Sequence, residues 1–378
     1  MNFDLFKLHD ETLDISNQGW ICFKGPNLPN VVNDAKNELM KKYNLKFTSE
    51  LVKLVANKLN CKTWTPEQIL YGHKKWVPIP ILKALIEMTN NPAEYKNAIL
   101  TDTNLIKCNS ATSLPIKAVK EPNETLCKIA GAHAGDGNIY NSLGIEIRNI
   151  SYSGSILKIF KKYNKNAKIF RTKNRVRIKV KNISPQKIIK ELTPFLKRRD
   201  ITFWLTHGIN VTEMYEYSIR AFALWIKDVF GIDARVTHHG TKNAWRVDFD
   251  NKIIARYLIK FFGFPAGVKT YTVKEPEIIK NSCIEFRKAF LIGLMTFEGY
   301  TPYHGKAIGL SSKSRELVEN VYDIITKIGI PVKKVKKDTY SRYICISRVL
   351  DKINLKKAQD LFEPNTEKWF RIQRNLSI

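Results

Sequence analysis

The sequence predicts an α+β protein in which a small all-α, helix-turn-helix-like domain precedes a duplicated unit of helices and strands. Three observations carry that prediction. Two apolar stretches rich in small residues each end in an acid followed by glycine, at Asp136-Gly137 and Glu298-Gly299. Each is followed by a second apolar helical pattern closed by Gly-Ile, at Gly231 and Gly329. Arg175 to Lys181 alternates cation with aliphatic, the period of a strand. At 378 residues the chain accommodates two to three domains, and a hydrophobic content of 44% excludes wholesale disorder.

The N-terminal elements come first. Glu50 to Leu59 places Leu51, Leu54, Val55 and Leu59 at helical spacing, and Asn60-Cys61-Lys62 reads as a turn. Thr65 then reads as the cap of a short helix with Pro66 at its first position, ending near Gly72. Pro78 and Pro80 open a third helix bearing Leu82, Leu85, Ile86 and Met88. This order, spanning 50–89, resembles the helix-turn-helix of phage-repressor-like domains, which implies that the segment Pro66–Tyr71 would enter a major groove. A small helical bundle that binds nothing is the alternative. Thr101 to Thr125 is polar with Pro115 and Pro122 and reads as a linker. The expected domains are 1–120, 121–280 and 281–378.

Charge points to the partner. The chain carries 63 Lys and Arg against 35 Asp and Glu, a formal charge of +28, which suits a polyanion, nucleic acid before a membrane surface. Half of it, +14, lies between Lys158 and Asp200, where 16 basic residues meet only Glu191 and Asp200. Arg175, Arg177, Lys179 and Lys181 fall on one strand face, with Val176, Ile178 and Val180 on the other. Arg171 and Lys173 continue the alternation before Asn174, a plausible hairpin turn. A face of one sign and without partners repels itself unless a polyanion neutralises it. Arg235, Lys242 and Arg246 flank a second hairpin turned at His238-His239-Gly240, and Lys334, Lys336 and Arg342 belong to a third. These are the expected nucleic-acid-binding residues. No apolar run approaches the length of a spanning helix, no signal peptide is visible, and the six cysteines form no CxxC pair. The expectation is a reduced, intracellular, cytoplasmic protein without membrane contact.

The repeat is supported by spacing. Gly231 to Lys269 is 38 residues and Gly329 to Lys368 is 39, whereas Gly137 to Gly231 is 94 and Gly299 to Gly329 is 30. The copies agree downstream of the middle helix, and the first carries about 64 extra residues, the basic strand among them. Gly131 and Gly293 lie five residues before the acids, and small residues on a helix face let two backbones approach.

Ile129–Gly137 (IAGAHAGDG) and Leu291–Gly299 (LIGLMTFEG) resemble the motif of the LAGLIDADG homing endonuclease family, over roughly residues 120–375. The resemblance implies a pseudo-two-fold pair of αββαββα units whose sheets form a β-saddle over double-stranded DNA. It implies that Asp136 and Glu298, with backbone near Gly135 and Phe297, hold divalent metal, Mg²⁺ by donor type. Two such ions can supply the nucleophilic water, the charge stabilisation and the leaving-group help that phosphodiester hydrolysis needs. Lys269, and by spacing Lys368, stand where the family places a basic residue, and Ser312 falls near its polar strand-end position. His133 and Ala132 replace larger aliphatics, and Thr296 replaces an acid; His133 reads as a packed histidine rather than a ligand. The implied activity is site-specific double-strand cleavage by a monomer. A non-cleaving transcription regulator and an RNA maturase acting on structured RNA are the alternatives.

Overall fold

The computed structural model describes residues 2–14, 19–110, 113–148, 150–172, 175–181, 185–196, 198, 200–240, 243–302, 307–333, 335–337, 342–348 and 351–377. It resolves into two units, one of residues 1–120 with 143–205, the other of residues 121–142 with 206–378. Lys173, Lys242 and Lys334 lie outside the described residues.

The first unit begins with β1 (Ile21–Lys24), α1 (Leu28–Lys42), α2 (Thr48–Lys58), α3 (Trp64–Leu70), β2 (Val77–Pro78), α4 (Ile79–Met88), α5 (Pro92–Asp102), β3 (Leu105–Cys108) and β4 (Ile116–Lys117). The helices α2, α3 and α4 fall where the sequence places them. The expectation of an all-α domain is corrected, however, because an antiparallel sheet in the order β2-β1-β3-β4 runs through it. Its strands are two to four residues long, too short to show a period, and β3 and β4 lie in the stretch read as linker. Ile21, Cys22 and Phe23 are fully buried, so the sheet is core. The α4 helix buries Ile79, Ile81, Leu82, Ala84 and Leu85 and is apolar on nearly every side, as a central helix must be. Thr65 is not a cap. Helix α3 starts at Trp64, two residues before Pro66, and Thr65 packs inside with 4% of its surface exposed.

Next in chain order come α6 (Glu124–Asp136), β5 (Gly137–Ile147), α7 (Ser153–Tyr163), β6 (Lys168–Thr172), β7 (Arg175–Lys181), α8 (Pro185–Leu196) and β8 (Ile201–Glu213). The inserted elements are therefore α7, β6, β7 and α8, between the first and second strands of the repeat. In the first unit the strands run β6-β7-β5-β8. Val176, Ile178 and Val180 join Leu143, Ile145, Ile147, Phe203 and Leu205 in one core, with Ile156, Phe160, Ile188 and Leu192 of the inserted helices against it. The alternation of β7 thus stands, cations out and aliphatics in.

Two expectations about this face are corrected. Thr172 pairs with Arg175 and Arg171 with Val176, so Arg171 lies on the aliphatic side. A two-residue hairpin pairs residues three apart and so inverts parity, which puts Lys168, Phe170 and Thr172 with the cations instead. Nor is the face without partners, since Glu146 of β5 takes Arg175 and Arg177.

The second unit adds α9 (Glu216–Phe230), β9 (Val236–His239), β10 (Ala244–Phe249), α10 (Lys252–Lys260), α11 (Glu277–Lys280), α12 (Ile284–Phe297), β11 (Ala307–Ser312), α13 (Arg315–Lys327), β12 (Lys336–Lys337), β13 (Tyr343–Arg348), α14 (Lys352–Gln359) and α15 (Glu367–Leu376). The first copy reads α6-β5-β8-α9-β9-β10-α10, an αββαββα unit once the insertion is set aside. The second reads α12, a bridge at Tyr300, then β11-α13-β12-β13-α14, with strand order β11-β13-β12. Gly231 and Gly329 close the middle helices at φ 72° and 73°, left-handed angles that glycine adopts without strain. His238 and His239 belong to β9, so the connection to β10 lies after them, between His239 and Ala244, and not at His238-His239-Gly240. No helix among the described residues is long and apolar enough to cross a membrane, and all six cysteines are free thiols.

Candidate active site

The seam is built by two glycines. Helices α6 and α12 each lack a side chain where they meet. A Cβ on Gly131 would lie 1.9 Å from the carbonyl oxygen of Phe290, and one on Gly293 would lie 2.0 Å from that of Lys128. Backbone against backbone leaves no room to adjust, so glycine is the one residue the geometry admits. Asn123 starts α6 with its side chain accepting from Leu126 N at 2.8 Å, and at the other end Gly137 turns directly into β5. Gly137 is there for closeness rather than for a left-handed angle, because a Cβ would meet His133 at 2.3 Å.

The close approach brings Asp136 and Glu298 together, and their side chains share a hydrogen bond. Two like charges so close disfavour each other's ionised form, and both groups titrate accordingly. Burial first, and then the charge of Glu213, raises Asp136 to about 6. Burial first, and then Asp136, raises Glu298 to about 7. Glu298 keeps part of its surface open to solvent; the neighbouring charge pushes its carboxyl in the same direction as burial does.

Glu213 is the residue the sequence did not reveal. It ends β8 on the side of Val211 and Ile209, both fully buried, and it hydrogen-bonds Asp136. It stands three residues before α9, as Ser312 stands three before α13, so it occupies in the first copy the place of Ser312 in the second. An apolar alternation, Ile209 and Val211, that runs into an acid just before a helix was the signal available.

The two lysines take matched positions. Lys269 Nζ donates to the carbonyls of Ala134 and Gly135, each at 2.5 Å. Lys368 Nζ donates to the carbonyl of Phe297 and lies 3.7 Å from Glu213. Each therefore closes the last turn of its own repeat's motif helix, where the helix dipole favours a cation. Burial lowers Lys269 to about 8 against the pull of Asp136 and Glu298, and it lowers Lys368 as well. The carbonyls of Gly135 and Phe297 thus face lysine ammonium groups.

His133 is fully buried with neither ring nitrogen bonded among the described residues, and its edge rests on Phe264 at 4.8 Å. Burial holds its pKa well below the usual value, so it is a neutral packing group. Thr296 Oγ1 accepts from Glu363 N at 2.9 Å. Of the expected nucleic-acid-binding residues, Arg175, Arg177, Lys181, Arg171, Arg235, Lys336 and Arg342 are exposed and Lys179 is half-buried. Arg246 is half-buried and paired with Asp248.

A divalent metal fits this donor set in one form. Among the described residues no three His, Cys, Asp or Glu are arranged to hold an ion. Two adjacent carboxylates are instead a donor set that a divalent cation can use when waters and substrate phosphate complete its shell.

The paired helices, each delivering one acid beside one lysine, define a two-motif protein. Residues 285–362 match the LAGLIDADG-like domain. No curated protein matches it. Among solved structures it is similar to mesophilic variants of the homing endonuclease I-DmoI, with 12% identity, 64% of this chain and 92% of that one covered, and a TM-score of 0.36. It is also similar to an I-DmoI variant in complex with its target DNA and manganese, at 12% identity, 62% and 92% coverage and a TM-score of 0.35. A third is the LAGLIDADG homing endonuclease I-LtrWI bound to target DNA, at 11% identity, 62% and 80% coverage and a TM-score of 0.31.

Proposed function

We propose that the protein is a site-specific, metal-dependent endonuclease that cuts both strands of duplex DNA as a monomer. One observation carries the reading: each of two repeats delivers an acid, Asp136 and Glu298, to a shared seam where the two touch. The net charge of +28 supports a polyanionic substrate.

Asp136 and Glu298 would hold divalent ions, which supply the activated water and offset charge at phosphorus and the leaving oxygen. The protein's own groups do the rest. Glu213 orients Asp136 and draws Lys368 toward the seam. Lys269, held by two carbonyls, keeps an ammonium beside both acids and is poised near neutrality to yield or accept a proton. Lys269→Met lowers the single-turnover rate by about 10²–10³-fold, the loss typical of one fixed charge-stabilising donor. It leaves duplex affinity within about threefold, and equal losses in rate and affinity contradict the role.

The acids also set a pH dependence. Both pKa values are higher in the folded chain, Asp136 about 6 and Glu298 about 7, so between about pH 4 and 7 the folded state holds more protons than the unfolded one. Metal-free stability therefore falls as pH rises through that window. Mg²⁺ requires the ionised forms, so its stabilising effect grows over the same range. Thermal unfolding in EDTA and in Mg²⁺ at pH 5 and pH 8 checks this, and an equal Mg²⁺ increment at both values contradicts it. Incubating a randomised duplex library with the protein in Mg²⁺ and sequencing the cut ends tests the function. Recurrent ends at one sequence, absent in EDTA, are expected. Tight binding to duplex or to structured RNA with no cutting overturns it in favour of a regulator or an RNA maturase.

A further inference from the structure

One acid lies among the cations on the open face of the first unit's sheet. Leu143, Ile145 and Ile147 of β5 point into the core, so Glu146 faces the other way, toward β7. Its carboxylate side chain is 9% exposed and accepts from Arg177 Nε at 2.5 Å and from Arg175 Nη1 at 3.4 Å, while the two arginine side chains remain 58% and 52% exposed.

For stability alone this is a poor arrangement. Pairs whose cation is half in water contribute little, and burying a carboxylate is costly. Its consequence is orientation. With Nε committed to Glu146, the Nη1/Nη2 edge of Arg177, whose side chain is 58% exposed, is the part left to donate. Those two parallel donors match O6 and N7 of guanine in the major groove. A surface arginine meant only for phosphate needs no such brace, because any approach of a flexible cation serves. Phe170, the cross-strand partner of Arg177 and 55% exposed, adds an apolar neighbour on the same face.

We propose that Arg177 reads a guanine in duplex DNA and that Glu146 is the positioning residue that aims it. The inference rests on the duplex-DNA reading above and is independent of cleavage. The test is enrichment of bound sequences from a randomised duplex library by the full chain in EDTA, where nothing is cut. The wild type is expected to select guanine at one position. Arg177→Lys and Glu146→Gln should each lower discrimination at that position by about tenfold or more, leaving the other positions as they were. Glu146→Gln should bind unrelated duplex as tightly as before or more tightly, since one negative charge is removed. Three results overturn the proposal: Arg177→Lys keeps the guanine preference, Glu146→Gln shifts all sequences by one common factor while still folded, or no duplex is bound. Arg177→Lys alters an exposed side chain and keeps the test decisive if Glu146→Gln does not fold. A protein that cuts but shows no Arg177-dependent guanine sinks this inference alone. One that shows the preference and never cuts sinks the nuclease alone.

Discussion

Asp136→Asn and Glu298→Gln each lower the single-turnover cleavage rate by about a thousandfold or more, while duplex affinity in EDTA stays within a few-fold. The expectation follows from what the carboxylates hold. On the proposed function each acid would contribute a ligand to a cation that offsets several kcal/mol of transition-state charge, and about 1.4 kcal/mol is tenfold in rate. The same substitutions raise metal-free stability at pH 8. Burial and the neighbouring acids make ionised Asp136 unfavourable in the folded chain, and a neutral amide of similar shape removes that strain. A gain of about 1–2 kcal/mol is expected, less than the full shift implies because the site is partly open. Loss of activity together with a gain in melting temperature separates a functional acid from a structural one, whose removal would lower both.

Gly131→Ala and Gly293→Ala each destabilise the protein by about 3 kcal/mol or more. Overpacking usually costs about 1–3 kcal/mol because side chains yield. Here the added methyl would stand 1.9 Å or 2.0 Å from a backbone carbonyl oxygen, so the helices themselves have to separate. A drop in melting temperature of roughly 10 °C corresponds to that loss. Gly154→Ala is the control: nothing lies within 4 Å of its Cβ, and it should be neutral or mildly stabilising. Because the same separation moves Asp136 away from Glu298, cleavage falls with stability in the seam variants and not in the control. Seam variants as stable as Gly154→Ala would contradict the close packing.

Much of the site was legible because it is local and written twice. Asp136 and Glu298 end short motifs, Gly131 and Gly293 sit at fixed offsets before them, and Lys269 and Lys368 recur at 38 and 39 residues from a helix-closing glycine. Structure brings all six to one seam. What escaped depends on pairing between distant segments. Glu213 could not be identified before the limits of the insertion were known, since the end of β8 fixes its place. Glu146 meets Arg177 across 31 residues of chain with no local pattern to announce it. Arg171 changed face because hairpin length, not strand period, sets parity across a turn. The sheet in the N-terminal region was missed for a related reason. Its strands of two to four residues carry too few side chains to display alternation, and the pairing of β1 with β2 and β3 joins segments more than 50 residues apart.

Calorimetric titration of Mn²⁺ into the wild type and into the Asp136→Asn/Glu298→Gln double variant at pH 8, with uncut duplex present, measures the seam itself. Saturable binding by the wild type that vanishes in the folded double variant is the predicted outcome. Equal Mn²⁺ binding by both proteins would show that these two acids do not hold the ion, and the assignment of the seam as a catalytic centre would fall with it.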